Sequence, residues 1–206
     1  MEASTEATVL PGDHDDGITG PIFELGAATS SNQNSGLHGI LRVPFDILRS
    51  IIEVYRSRMY PVWPVIEANN LLSQLKEQNT DTTVYILATS LCAATMAQLH
   101  LTPIGSQGQK ISSENLEREC SRVRGTFDYR EHPNLNHVLT SFFLHVYHAK
   151  VNNQNSALLY IQEAILLARL LKLDKNEGPC HGDHVESVVD GCLVYLLLWI
   201  SERKVF

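Results

Sequence analysis

The run TTVYILATSLCAATMAQL, residues 82–99, decides the fold. Apolar or small side chains fill nearly every position, and Ala88, Ser90, Ala93, Ala94 and Ala97 keep the run slim. A helix that is hydrophobic all round has no face to show to water, so the pattern predicts a central helix packed closely by neighbours. Thr80 or Asp81 can cap it.

The neighbours must come from the rest of the chain, where apolar spacing is helical throughout. Upstream, Phe45, Leu48, Ile51, Ile52 and Tyr55 recur at three and four, opposite Asp46, Arg49, Glu53 and Arg56, and Pro44 suits the first turn. A second helix, about 67–77, follows Pro61 and Pro64. Downstream, the loop TPIGSQGQK precedes a helix at about 112–124, with Leu116, Cys120 and Val123 on one face and Glu114 placed to meet Arg118. Leu135, Leu139, Phe142, Phe143 and Val146 point inward from the next helix. After NNQN, a helix over 156–173 carries Leu158, Ile161, Ala164, Ile165, Ala168 and Leu171, and a last one runs from about His184 onward. With no period-two pattern, the chain is expected to be all-α: an irregular bundle of about seven helices packed as antiparallel pairs, after a flexible N-terminal arm. Residues 1–42, rich in Gly, Pro and polar residues such as TSSNQNS, are expected to form a disordered acidic arm, and residues 43–206 the helical domain.

Composition narrows the function classes. At 206 residues and 44% apolar content the chain supports one ordinary core. The longest apolar run, Gly191–Ile200, is about half of what a bilayer span requires, so no membrane association is expected. MEASTEATVL has neither the apolar core of a secretory signal nor the arginines of a transit peptide, which predicts a cytosolic or nuclear chain. Glu2, Glu6, Asp13, Asp15, Asp16 and Glu24 precede Arg42, the first basic residue, and account for six of the seven net negative charges. The remainder is nearly neutral and offers no basic footprint for phosphates, so no direct DNA binding is expected from this chain. Cys92, Cys120, Cys180 and Cys192 are widely spaced and read as reduced, mostly buried thiols.

Motifs that carry chemistry are weak. Cys180, His181, Asp183, His184 and Cys192 come nearest to a metal set. Adjacent Cys180 and His181 converge poorly on one tetrahedral ion, and Cys192 sits in an apolar run, so no metal ligand is assigned. His145 and His148 share a helix face with His137 two turns earlier, an arrangement that suits polar positions between helices better than a proton relay. GSQGQK lacks phosphate-loop spacing, and no serine elbow or carboxylate pair occurs. No catalytic residue and no cofactor are expected, hence no enzyme. SALLYIQEAILLARLLKL resembles one helix of a tetratricopeptide repeat, but the pattern does not recur 34 residues away.

A more specific likeness runs through several motifs in order: FDILRSIIEVYRSRMYPVWPVI, then FDYREHPNLNHVLTSFFLHVYHAKVNNQNSALLYIQEAILLARLLKLD, then YLLLWISERKVF. Together they resemble the regulatory middle region of fungal binuclear zinc-cluster transcription factors, with most likeness to the branch governing starch and maltose use. The resemblance covers about residues 43–206. It implies a non-catalytic regulatory domain, nuclear or shared between cytoplasm and nucleus, that modulates a sugar-utilisation or secondary-metabolite gene set. It also implies that Tyr60 and Trp63 dock against the bundle where the prolines stop the first helix. A small-molecule inducer, a related transcription regulator, or self-association through the C-terminal helix are the partners implied. The six-cysteine zinc cluster of such proteins has no counterpart here, and Cys192, Leu193 and Leu196 stand where relatives carry two basic residues and a tryptophan. The domain is therefore expected to be truncated at its C-terminus. A helical adaptor or decoy pairing with a full-length regulator is the alternative.

Overall fold

The computed structural model describes residues 42–77, 81–105, 110–173 and 191–203. The proposed arm, the phosphate-loop-like GSQGQK except Gly105 and Lys110, and the Cys180–His184 cluster lie outside those residues. Among the described residues there are seven α-helices: α1 Phe45–Val54, α2 Ala68–Lys76, α3 Thr82–Gln98, α4 Ser113–Arg124, α5 Leu135–Lys150, α6 Gln154–Leu170 and α7 Gly191–Arg203. Among the described residues no strand forms, and the one β-bridge joins Ile104 to Ile111 across a loop. The all-α expectation is met. α6 begins two residues earlier and ends three earlier than its apolar spacing suggests.

α3 is the axis of the bundle. Every residue from Val84 to Ala97 is buried, and α1, α2, α4 and α5 all pack on it. α6 covers the far side of α5, and α7 lies on α6. The α6–α7 pair is antiparallel: a Cβ on Gly191 would come within 3.1 Å of Leu173, and Gln162 bonds Glu202 at 3.0 Å near the opposite end. Asp81 supplies the α3 cap, accepting from the Thr83 amide, and a reciprocal Ser112–Asn115 box starts α4. α3, α5 and α6 end in the same way, with a left-handed residue, His100, Asn152 or Lys172, followed by an amide that reaches back to close the final turn. Each of these closing bonds pairs a carbonyl that the end of the helix would otherwise leave open.

The α1 exit departs from expectation. Its last turn is π-helical, Tyr55–Met59, closed by the Tyr60 amide on the Tyr55 carbonyl. The extra residue in that turn rotates Tyr60 outward, where it is 39% exposed, while Tyr55 and Met59 stay inside. Tyr60 therefore stays outside the core, its ring edge-on to that of Tyr55 at a centroid distance of 6.3 Å. Tyr55 takes the docking role: it is fully buried and its hydroxyl donates to the Trp63 carbonyl at 2.6 Å. Burial raises its pKa well above the ordinary phenol value. Trp63 does pack against the core, half-buried, with its ring edge-on to Phe142 and Phe143 at centroid distances of 6.2 and 6.0 Å.

Because Trp63 is only half-buried, Trp63→Ala should cost about 2–3 kcal/mol, less than the ~3–5 typical of fully buried aromatics. Tyr60→Ala should stay within about 0.5 kcal/mol of wild type. Urea unfolding of both variants checks this, and equal losses would contradict the assignment.

Candidate functional site

α4 delivers Arg124 to the point where the chain leaves the bundle surface, and the guanidinium turns inward, 6% exposed. It bonds the Ser141 hydroxyl of α5 at 2.6 Å and the Glu163 carboxylate of α6 at 3.0 Å. Glu163 also accepts from Ser141 at 2.9 Å and from the Tyr129 hydroxyl at 2.5 Å. Arg124 lies over the Tyr129 ring, 3.9 Å from its centroid, and Arg130 sits 4.7 Å from the same ring. One carboxylate thus ties together two helices, the 125–130 loop and the end of α4. Burial first, then the Glu163 carboxylate, push the Tyr129 phenol up to about 12. Removing one partner of a buried ion pair leaves the other unpaired, at a cost of about 3–5 kcal/mol.

Outside this network a cleft of about 830 Å³ opens between the 125–130 loop and the first half of α6. Phe127, Asp128, Tyr129 and Arg130 line one wall, Ser156, Leu159, Tyr160 and Glu163 the other, and Ser121 and Arg124 the floor. The Tyr160 ring is stacked on His148, 5.2 Å away and 11° from parallel.

A second buried acid, Glu119, is fully enclosed and held by Arg122 at 2.7 and 2.9 Å and by the Tyr85 hydroxyl at 3.0 Å. Tyr85 in turn accepts from the Val43 amide at 2.8 Å, which pins the entry to α1.

All three α5 histidines are buried between helices. His137 is caged by Phe127 and Tyr129, His145 bonds the Ala157 carbonyl through Nδ1 at 2.9 Å, and His148 Nε2 lies 3.6 Å from Glu117. They do not converge on one site. Cys92 and Cys120 are buried thiols, their pKa values raised by burial. Cys192 lies on α7, but its side chain is outside the described set. Among the described residues no group of three His, Cys, Asp or Glu could hold a metal ion. Also among them, no helix is long and apolar enough to cross a membrane.

The Arg124–Tyr129–Glu163 network has no counterpart in the sequence reading. Its one local signal is Glu163, which with Gln162 interrupts the apolar stretch YIQEAILLA, where an acid needs a buried partner.

No family model matches the chain, and no solved structure does. Curated relatives do. The chain is 31% identical over 163 residues to the "Probable sucrose utilization protein" of Candida albicans, covering 77% of this chain and 32% of that protein. It is 26% identical to a maltose fermentation regulatory protein of Saccharomyces cerevisiae, covering 79% of this chain and 34% of the relative. It is also 26% identical to a respiratory transcription factor of the same yeast, covering 84% and 37%. The chain thus spans about a third of the length of the curated relatives it matches. Several of them are fungal binuclear zinc-cluster regulators, so the likeness carried by the sequence motifs is borne out.

The buried histidines set an acid limit on stability. Burial lowers the pKa of His137 and His145 below 6.5, whereas in the unfolded chain they take up protons near that value. Below about pH 6.5 the unfolded state binds more protons, so stability falls as pH falls. Glu117, held below 4.5 chiefly by the neighbouring His148 imidazole, adds a further loss in stronger acid. Urea midpoints should be flat from about pH 7 to 8.5 and decline from about pH 6.5 to 5. A constant midpoint down to pH 5 would contradict the burial of these imidazoles.

Proposed function

We propose, from this kinship with fungal binuclear zinc-cluster regulators, that the chain is a non-catalytic helical regulatory domain that modulates transcription of a metabolic gene set. The observation that carries the reading is the extent of the match, between 136 and 173 residues against six transcription and sugar-use regulators. Sucrose utilization and maltose fermentation, named in those relatives, make sugar use the favoured gene set, with a secondary-metabolite cluster as the other. The buried polar groups fit a regulatory role better than catalysis. Glu163 and Glu119 spend their hydrogen-bonding capacity on tyrosine, serine and arginine side chains that hold the helices together. A nuclear location and an inducer-responsive switch belong to this reading.

Contact with other proteins is assigned to the α6–α7 edge. Leu166 and Leu170 on α6, and Leu196, Trp199 and Ile200 on α7, are exposed. The α7 three share one helix face at i, i+3 and i+4. A surface of this kind supports pairing with a second copy or a related regulator.

The reading is tested by disrupting the gene in its source organism and sequencing transcripts during growth on sucrose, maltose and glucose. A shift in a sugar-use or biosynthetic gene set is expected, together with nuclear accumulation of the tagged chain. Unchanged transcripts on all three carbon sources would overturn it.

A further inference from the structure

We propose that the cleft between the 125–130 loop and the first half of α6 is a binding site for a small uncharged polyhydroxylated molecule, of the size of a mono- or disaccharide. Its volume, about 830 Å³, falls within the ~300–1,000 Å³ range of ligand sites. Its charges cancel. Arg124 and Glu163 neutralise each other in the floor, and at the rim Arg130 faces a loop that also carries Asp128. An ion entering the cleft meets no net opposite charge.

The walls alternate two chemistries. Phe127, Leu159 and Tyr160 offer apolar and aromatic surface, against which the C–H face of a sugar ring can pack. Arg130, Asp128 and Ser156 offer charged donors, charged acceptors and a hydroxyl, and a sugar hydroxyl both donates and accepts. The rim groups have capacity to spare. Arg130 reaches Glu163 only at 3.7 Å with its side chain 69% exposed, and Asp128 uses Oδ1 on the Arg130 amide. Behind them, Tyr129 is fixed by Glu163 and Arg124, so the wall is rigid before any ligand arrives.

The purpose of such a site rests on the regulatory reading above, but its chemistry does not. The purified full chain is titrated calorimetrically with maltose, sucrose and glucose, and separately with inorganic phosphate and citrate. Saturable binding of at least one neutral sugar is expected, with neither anion binding at the same concentrations. Asp128→Ala and Arg130→Ala are exposed changes, and each should weaken binding about tenfold while shifting the unfolding midpoint only slightly. Leu159→Trp, which narrows the mouth, should do the same. The proposal is overturned by no saturable sugar binding, by an anion binding in place of sugar, or by sugar affinity indifferent to all three substitutions. Sugar binding without any transcript response would sink the regulatory reading and leave the site standing, and the converse result would do the opposite.

Discussion

Covering α3 on all sides is the constraint from which the architecture follows. A helix with fourteen consecutive buried residues exposes no polar stripe, so it is stable in water only when other helices enclose it. Its small residues let those helices come close. α1, α2, α4 and α5 all pack on α3, α6 then packs on α5, and α7 on α6. Cys92, Ala93 and Ala94 show the consequence, each with no exposure at all.

A slim apolar axis cannot by itself fix the register of its neighbours, because small side chains offer few locking shapes. Two acids, the enclosed Glu119 and the partly buried Glu163, supply that specificity. Glu119 joins α4 to α3 through Tyr85 and, by way of the Val43 amide, to the start of α1. Glu163 joins α6 to α5 through Ser141 and to α4 through Arg124. Each acid is matched by an arginine and a tyrosine, which keeps the cost of burying charge from falling on an unpaired group. The second network also has a functional consequence, since the loop it fixes forms one wall of the cleft.

Regulation by such a domain needs a rigid body with a site on its surface and a face for a partner. The bundle has both kinds of feature in different places. The cleft lies at the first half of α6, while the exposed apolar residues Leu196, Trp199 and Ile200 lie on α7, which packs against α6. One helix therefore connects the proposed ligand site to the proposed contact edge. On the regulatory reading proposed above, that helix is the route by which an occupied cleft would reach the contact edge.

Apolar spacing by itself determined the helices, the central place of 82–99 and the inward faces of α1, α4 and α5, because helical periodicity is a local property of consecutive residues. The motifs from YPVWP to LTSFFLH, and from there to YIQEAI, carried the relationship to fungal regulators in the same way. What tertiary structure decided depends on residues far apart in the chain. A single extra residue in the π turn turned Tyr60 outward and made Tyr55 the anchor, an outcome of hydrogen-bond register that side-chain pattern does not encode. The candidate site was legible only through Glu163, an acid set in the apolar run of α6. Arg124, Tyr129 and Ser141 do not declare their partners in the sequence, and only packing α4 and α6 against α5 brings their charges and hydroxyls within bonding distance.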